Sequence, residues 1–330
     1  MSITNVVSMS GGKDSTAQAL LGIEQGADNL RFVFADTGHE HTQTYEYIDY
    51  LESRLGIKIE CVKADFSRLM AGKREFIKTK WAEHGVPQSQ IDAALEVLKP
   101  TGIPFLDLCL WKGRFPSTRR RFCSEQLKHI PLNNYMEELL TEHKAVISWQ
   151  GVRRDESASR ANLPERDVEI GQWEPEPSGL LIYRPILDWT AADTFAIAKR
   201  HGLEPNPLYK QGMGRVGCMP CIHATKRETF EIARRFPEEM ERLAEWERLV
   251  GMAAKRGVPT FFDARIVQRH LGLPPITPEN VGQVTAETHG VKQYIEWSKT
   301  SRGGRQYDII KILEIDEELP MCQSQYGLCE

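Results

Sequence analysis

The sequence predicts an α/β fold, a doubly wound and mostly parallel sheet with a mainly helical C-terminal extension. Three observations carry this expectation. Apolar strand-like runs alternate with helical spacing from Ile3 to Val62. A Gly-Gly turn joins the first strand to the first helix. The same rhythm returns between Leu132 and His201 after an interruption. Strands alternating with helices indicate parallel pairing through right-handed crossovers.

The elements follow in order. Residues 3–9 read as the first strand, and residues 15–25 as a helix with Ala17, Leu20, Leu21 and Ile23 on its apolar face. Arg31-Phe32-Val33-Phe34-Ala35 reads as a buried strand, because it is apolar on both faces. Residues 42–55 repeat Tyr45, Ile48, Leu51 and Leu55 at helical spacing, and Ile57–Val62 is a third strand. Residues 66–118 break the rhythm and are expected as an insertion over the active-site face, with a helix near 88–98. Leu132–Glu142 is a helix, Ala145–Gln150 a strand, and 190–201 a further helix. Arg227–Lys255 is charged and helical, and 258–330 is mixed. The expected division is a nucleotide-binding domain over 1–225 and a helical and mixed subdomain over 226–330.

Hydrophobic content of 41% and charged content of 27% place the chain of 330 residues among soluble globular proteins. The net charge of −4 excludes a whole-molecule polyanion binder, so any nucleic-acid surface must be a local patch. Met1-Ser2-Ile3-Thr4 lacks the basic start of a signal peptide, and no apolar run is long enough to span a membrane. A cytoplasmic location is expected. The seven cysteines then belong to a reducing compartment, where metal or redox chemistry outweighs disulfides.

Ser10-Gly11-Gly12-Lys13-Asp14-Ser15-Thr16 follows the first strand and opens a helix. Glycines without Cβ let N–H groups approach an oxyanion, and a helix N-terminus favours negative charge. Lys13 adds a cation. A Walker A loop needs a glycine five residues before Gly12, where Val7 stands. The run resembles the PP-loop of adenine-nucleotide alpha-hydrolases, with their Rossmann-like sheet. That resemblance implies ATP cleaved between its α and β phosphates, with Mg²⁺, and Lys13, Asp14 and Ser15 in catalytic roles. Asp36-Thr37-Gly38 ends the second strand at the same sheet edge, where ligands of such sheets bind.

Lys112–Lys128 is the densest cationic run and holds Arg119-Arg120-Arg121-Phe122-Cys123. Arginine forks suit phosphate, whether of a nucleotide or of a nucleic-acid backbone. The run resembles the arginine–cysteine–lysine stretch of the phosphoadenosine phosphosulfate (PAPS) reductase family, with Phe122-Cys123 where cluster-bearing members have Cys-Cys. Gly151-Val152-Arg153-Arg154-Asp155-Glu156, ending a strand, resembles the family's nucleotide-facing element. Gly151, Arg153, Arg160 and Arg121 are thereby expected at the nucleotide, with Arg153 also catalytic. Pro185–Thr190 and Asn206-Pro207-Leu208-Tyr209 match two further family stretches.

Gly217-Cys218-Met219-Pro220-Cys221 brings two thiols within reach of one metal or cluster. Cys123, Cys322 and Cys329 are the candidates for the remaining ligands. Cys61 and Cys109 are expected to be buried and structural. A [4Fe–4S] cluster agrees with the family's cluster at the C-x-x-C position; zinc and metal-free thiols are the alternatives. The family's reductases carry a C-terminal Glu-Cys-Gly-(Ile/Leu)-His nucleophile, which Tyr326-Gly327-Leu328-Cys329-Glu330 does not match. Their phosphate loop also typically lacks the lysine present here as Lys13. These differences imply an ATP pyrophosphatase that adenylates an acceptor for sulfur transfer. In kind it is similar to the sulfur-activating enzyme of bacterial DNA phosphorothioation and to phage-borne reductase-like proteins. Implied partners are an adenine nucleotide, a nucleic acid at 112–128 and a sulfur-donor protein, with no membrane. Release of sulfite from a sulfonucleotide and a non-catalytic nucleotide-binding module are the other readings.

Overall fold

Strand β1 (Ile3–Met9) sits at the centre, and Thr4 to Val7 are buried on both of its faces. Val6 packs with Val33 and Val146 on one face, and Val7 with Leu20 and Phe32 on the other. The computed structural model describes residues 2–255, 259–277, 280 and 284–300. The sheet has six strands in the order β3-β2-β1-β4-β6-β5. β2 (Leu30–Asp36), β3 (Ile59–Lys63), β4 (Ala145–Trp149) and β6 (Ser178–Tyr183) continue the parallel ladder. β5 (Arg166–Gln172) is an antiparallel edge strand.

Helices α1 (Lys13–Glu24), α2 (Thr42–Leu55) and α8 (Ala191–Arg200) cover the Val7 face. α7 (Ile130–Leu139) covers the Val6 face through Met136 and Leu139. The α/β reading and most element positions therefore hold. The β5–β6 hairpin was not anticipated, because β5 is nearly all exposed and polar and carries no buried pattern.

Between β3 and β4 lie α3 (Ser67–Phe76), a π turn (Ile77–Trp81), α4 (Gln88–Val97), α5 (Pro104–Lys112) and the short α6 (Phe122–Ser124). After α8 come α9 (Pro207–Lys210), α10 (Lys226–Arg235), α11 (Pro237–Ala253), α12 (Ala264–His270), α13 (Ala286–His289) and α14 (Val291–Ser298). The charged helical stretch over 227–255 forms two helices, because Phe236-Pro237 ends α10 and starts α11. Phe66, Trp81 and Phe105 of the insertion share one apolar cluster with Trp246, Val250 and Phe261. The insertion and the C-terminal helices are thus packed as one layer.

Glu247 is a charged group inside that layer. Its carboxyl accepts the N–H of Phe261 at 2.7 Å and of Val291 at 2.8 Å, holding two segments on α11. Burial pushes its pKa up to about 7, against the pull of those two N–H groups. The folded value exceeds the ordinary one of 4.5, so its contribution is fully present below pH ~4.5 and is lost as pH rises towards 7. Urea unfolding of Glu247→Gln beside the parent should show the difference moving in the variant's favour by roughly 1–3 kcal/mol between pH 5 and 8. A pH-independent difference would show that Glu247 does not titrate in the fold.

Candidate active site

The strand order reverses between β1 and β4, since β2 lies on one side of β1 and β4 on the other. Loops leaving β1 and β4 therefore border one crevice at the carboxyl edge of the sheet. A cavity of about 490 Å³ lies there. Ser10, Gly12, Lys13, Asp14, Ser15, Gly151, Arg153 and Arg160 line it, joined by Gln18, Glu156, Tyr209 and Arg215.

The loop is shaped by short polar contacts. The Ser15 hydroxyl donates to Gly12 O at 3.0 Å and accepts from Ser10 N and Oγ, each at 3.1 Å. Gly11 has φ +69, and a Cβ there would stand 3.0 Å from Thr44 Cγ2. α9 clamps the loop from outside. Asn206 Nδ2 donates to Gly11 O at 3.1 Å, and Tyr209 OH accepts from Lys13 N at 2.9 Å. Gly11 and Thr16 are structural members of the loop and do not line the cavity.

Asp14 is the electrostatic centre. Its carboxylate takes Lys13 Nζ at 2.8 Å on one oxygen and Arg153 Nε at 2.7 Å on the other. Arg153 is 4% exposed and also meets Asp155 at 2.6 Å. Burial alone would lower its pKa; Asp14 and Asp155 reverse that and raise it. Its guanidinium, expected at a phosphate, is committed to two carboxylates. Arg160 lines the cavity while paired with Glu156. Gly151 allows the close approach, since a Cβ there would lie 3.0 Å from Asp14 O.

The Asp36 loop is at the same edge but does not line this cavity. Asp36 accepts from Gly38 N at 2.8 Å and Tyr45 OH at 2.7 Å, and pairs with Lys63 at 2.6 Å. Burial works to raise its pKa, and these three partners outweigh it and hold the carboxyl below its ordinary range. Thr37 Oγ1 donates to Glu40, and Phe105 of the insertion donates its N–H to Thr37 O at 2.8 Å. Gly38, with φ +68, lies under Pro104, which a Cβ would approach to 2.9 Å. The insertion is thus seated on the Asp36 loop.

The C-x-x-C turn is bonded to this same loop. Met219 N donates to His39 O at 2.8 Å, and His39 Nε2 donates to Pro220 O at 2.8 Å. His39 is buried between Phe105 and Trp246, and burial with the Arg242 charge lowers its pKa to about 3, so the ring is neutral. Arg242 of α11 reaches Met219 O at 3.2 Å. Cys218 Sγ lies 3.5 Å from Thr37 Oγ1 and 3.7 Å from Glu40 Oε1. Burial pushes its pKa up to about 12, with the Lys128 ammonium acting against that rise. Burial likewise pushes the Cys123 thiol up.

For a resident metal the fit is partial. No group of three or more His, Cys, Asp or Glu side chains stands in ligating geometry among the described residues. Cys322 and Cys329 lie outside them. Cys109 is buried as expected, whereas Cys61 is exposed on edge strand β3, where only one flank is paired. Arg121 is exposed and does not line the cavity. Sequence reasoning missed Tyr209 and Asn206 as loop clamps, although it singled out their motif. It also missed Glu40 and Arg215, for which no local pattern speaks.

The fold and this crevice define an α/β protein with a nucleotide-type pocket beyond the sheet's carboxyl edge. The family model for the phosphoadenosine phosphosulfate reductase domain matches residues 4–224, and the chain belongs to that family. A protein of Escherichia phage 186, described as an uncharacterized 37.8 kDa protein, is 50% identical over 100% of this chain and 97% of its own length. The adenosine 5'-phosphosulfate reductase of Burkholderia cepacia is 27% identical over 58% of this chain and 59% of its own. The phosphoadenosine 5'-phosphosulfate reductase of Vibrio atlanticus is 26% identical over 68% and 67%. The crystal structure of PAPS reductase from Candida auris in its phosphate complex aligns with TM-score 0.40 and 18% identity, over 67% of this chain and 83% of that one. No helix among the described residues is long and apolar enough to cross a membrane.

Arg153→Met should leave Asp14 with Lys13 alone. Breaking one arm of a largely buried pair is expected to cost roughly 2–4 kcal/mol, read as a lower Tm and a lower urea midpoint. Asp14→Asn combined with Arg153→Met should recover part of that loss, because the uncompensated charge is gone.

Proposed function

We propose that this protein cleaves ATP between its α and β phosphates and adenylates an acceptor for sulfur transfer, the acceptor being a nucleic acid. The observation that carries the reading is the intact Ser10–Thr16 loop with Lys13 at the cavity wall. A lysine at this place can pair with the β,γ-diphosphate of a nucleoside triphosphate. The N-terminus of α1 presents its positive dipole end to the same cavity. Lys13 can exchange Asp14 for a phosphate, because Arg153 stays behind to hold the carboxylate. Asp14, released from Lys13, is then the residue placed to take Mg²⁺. That ion would neutralise the departing pyrophosphate.

A second reading has its own support. The Burkholderia and Vibrio relatives are named reductases of sulfonucleotides. On that reading the cavity holds an already activated nucleotide and the thiols reduce it to sulfite.

Purified protein incubated with ATP and Mg²⁺, with and without oligonucleotide, should yield AMP and pyrophosphate. ADP with phosphate would refute α,β-cleavage, and sulfite released from a sulfonucleotide would establish the reductase. Lys13→Ala with Asp14→Ala should weaken nucleotide binding at least about tenfold, the loss of one charge-assisted contact or more. An unchanged titration would remove the nucleotide from this cavity.

The thiol centre is the other part of the proposal. Cys123, Cys218 and Cys221 with Cys322 or Cys329 make the four-thiolate set that suits [4Fe–4S], zinc being the alternative. The C-x-x-C spacing of Cys218 and Cys221 supports it, and no step above depends on it. Anaerobic preparations should be brown, with absorbance near ~400 nm and iron matched by acid-labile sulfide. A colourless preparation free of iron and zinc would assign these thiols a structural or redox role.

A further inference from the structure

Among the described residues four cations line the cavity of the phosphate loop, and they are not equivalent. Lys13 and Arg153 share the Asp14 carboxylate, and Arg160 meets Glu156. Arg215 is the fourth. No ion pair or hydrogen bond joins its side chain to another described residue, and it is exposed, so it stands at the rim. Within the protein itself three of these charges are matched and one is not.

Arg215 is carried on a strap fixed at both ends. Upstream is α9, where Tyr209 OH accepts from Lys13 N at 2.9 Å and Asn206 Nδ2 donates to Gly11 O at 3.1 Å. The turn after α9 is closed by Met213 N on Leu208 O at 3.1 Å. Downstream, Met219 N donates to His39 O at 2.8 Å, and Cys218 bridges to Glu40 through the backbone. Between these anchors the strap passes beside the phosphate loop. A Cβ on Gly12 would stand 3.7 Å from Val216 O, and Gly214 and Val216 line the same cavity as Arg215. The backbone that carries Arg215 is therefore tied to the loop on one side and to the turn after β2 on the other.

We propose that Arg215 grips the β,γ-diphosphate of the bound nucleotide and selects a triphosphate over a monophosphate. The proposal rests on the ATP reading above and adds the residue that sets the phosphate number. Most of the negative charge of ATP lies beyond its α-phosphate, and it is drawn to the one cation that the protein leaves unmatched. A guanidinium fork takes two phosphate oxygens at once. Lys13 and Arg153 must first give up Asp14 to do the same, whereas Arg215 gives up only water. The rim also suits a group that departs as pyrophosphate, because solvent reaches it there.

The test is calorimetric titration of the full chain with AMP and with α,β-methylene-ATP, which carries three phosphates and resists cleavage between α and β. Arg215→Gln should weaken the triphosphate analogue at least about tenfold, the loss of a charge-assisted pair, and leave AMP within about twofold. Arg215→Lys keeps the charge and loses the fork, so its affinity for the analogue should fall between those of the parent and Arg215→Gln. Both variants should keep the parent's urea midpoint, since the side chain is exposed and makes no bond in the fold. Equal losses for AMP and the analogue overturn the proposal, because the arginine would then shape the whole cavity. So does undiminished analogue binding by Arg215→Gln; if that variant still forms AMP and pyrophosphate from ATP, the ATP reading stands and the grip alone is rejected. A parent protein that binds no triphosphate and takes adenosine 5'-phosphosulfate instead rejects both.

Discussion

Asp14 holds two cations from opposite sides, and the geometry of the crevice depends on that sharing. Lys13 is its chain neighbour, while Arg153 arrives from the loop after β4, 139 residues away. The pair spans the switch point of the sheet and fixes the spacing between the two loops that border the cavity. A carboxylate so placed screens the cations from each other in the empty site. When a phosphate enters, Lys13 can leave Asp14 without stranding a bare buried charge, because Arg153 remains. A site with Lys13 and Arg153 alone would hold two unscreened cations, and one with Asp14 alone would repel the ligand. The glycines serve the same end: Gly151 lets Asp14 approach, and Gly11 lets the loop turn under Thr44.

The local parts of this arrangement were legible in the sequence. β1 could be read because Val6 and Val7 face two different buried layers, leaving no polar side. The Ser10 loop could be read because its chemistry lies within seven consecutive residues that join a strand to a helix. The parts that were not legible are those set by pairing across the chain. Arg153 was expected to meet a phosphate, and its commitment to Asp14 depends on how β4 lies beside β1. Asp36 was placed at the right edge of the sheet, but its carboxylate is taken up by Lys63 and Tyr45, one on the neighbouring strand and one on the next helix. β5 escaped notice because an exposed edge strand has no core to impose a pattern. Cys61 was misjudged for the same reason: β3 is an edge, and Cys61 is left uncovered on the very face that buries Ile59.

Residues after the family match explain why the C-x-x-C turn is held so firmly. The turn bonds to the loop after β2 through His39, and that histidine is itself packed between the insertion and α11. Arg242 then fixes the carbonyl of Met219 from the α11 side. Three parts of the chain that share no sequence signal therefore converge on one tetrapeptide. The energetic reason is burial. A neutral histidine can be enclosed in aromatic surroundings at little cost if its one N–H finds a carbonyl, and Pro220 supplies it.

The same packing sets the chemistry available to the thiols. Cys218 lies beside the Glu40 carboxylate, which disfavours a thiolate, and near the Lys128 ammonium, which favours one. Burial would lower the pKa of Lys128, but Cys218 and Glu40 raise it, so the cation is kept in place. The balance leaves Cys218 protonated in the structure described, as a thiol directed at Glu40. Anything that makes this sulfur a nucleophile or a ligand must take its proton, and Glu40 is the acceptor already within reach. Through Thr37, Glu40 is bonded to the loop that also carries Asp36. The state of the thiol and the conformation of the sheet edge are thereby linked by two short contacts.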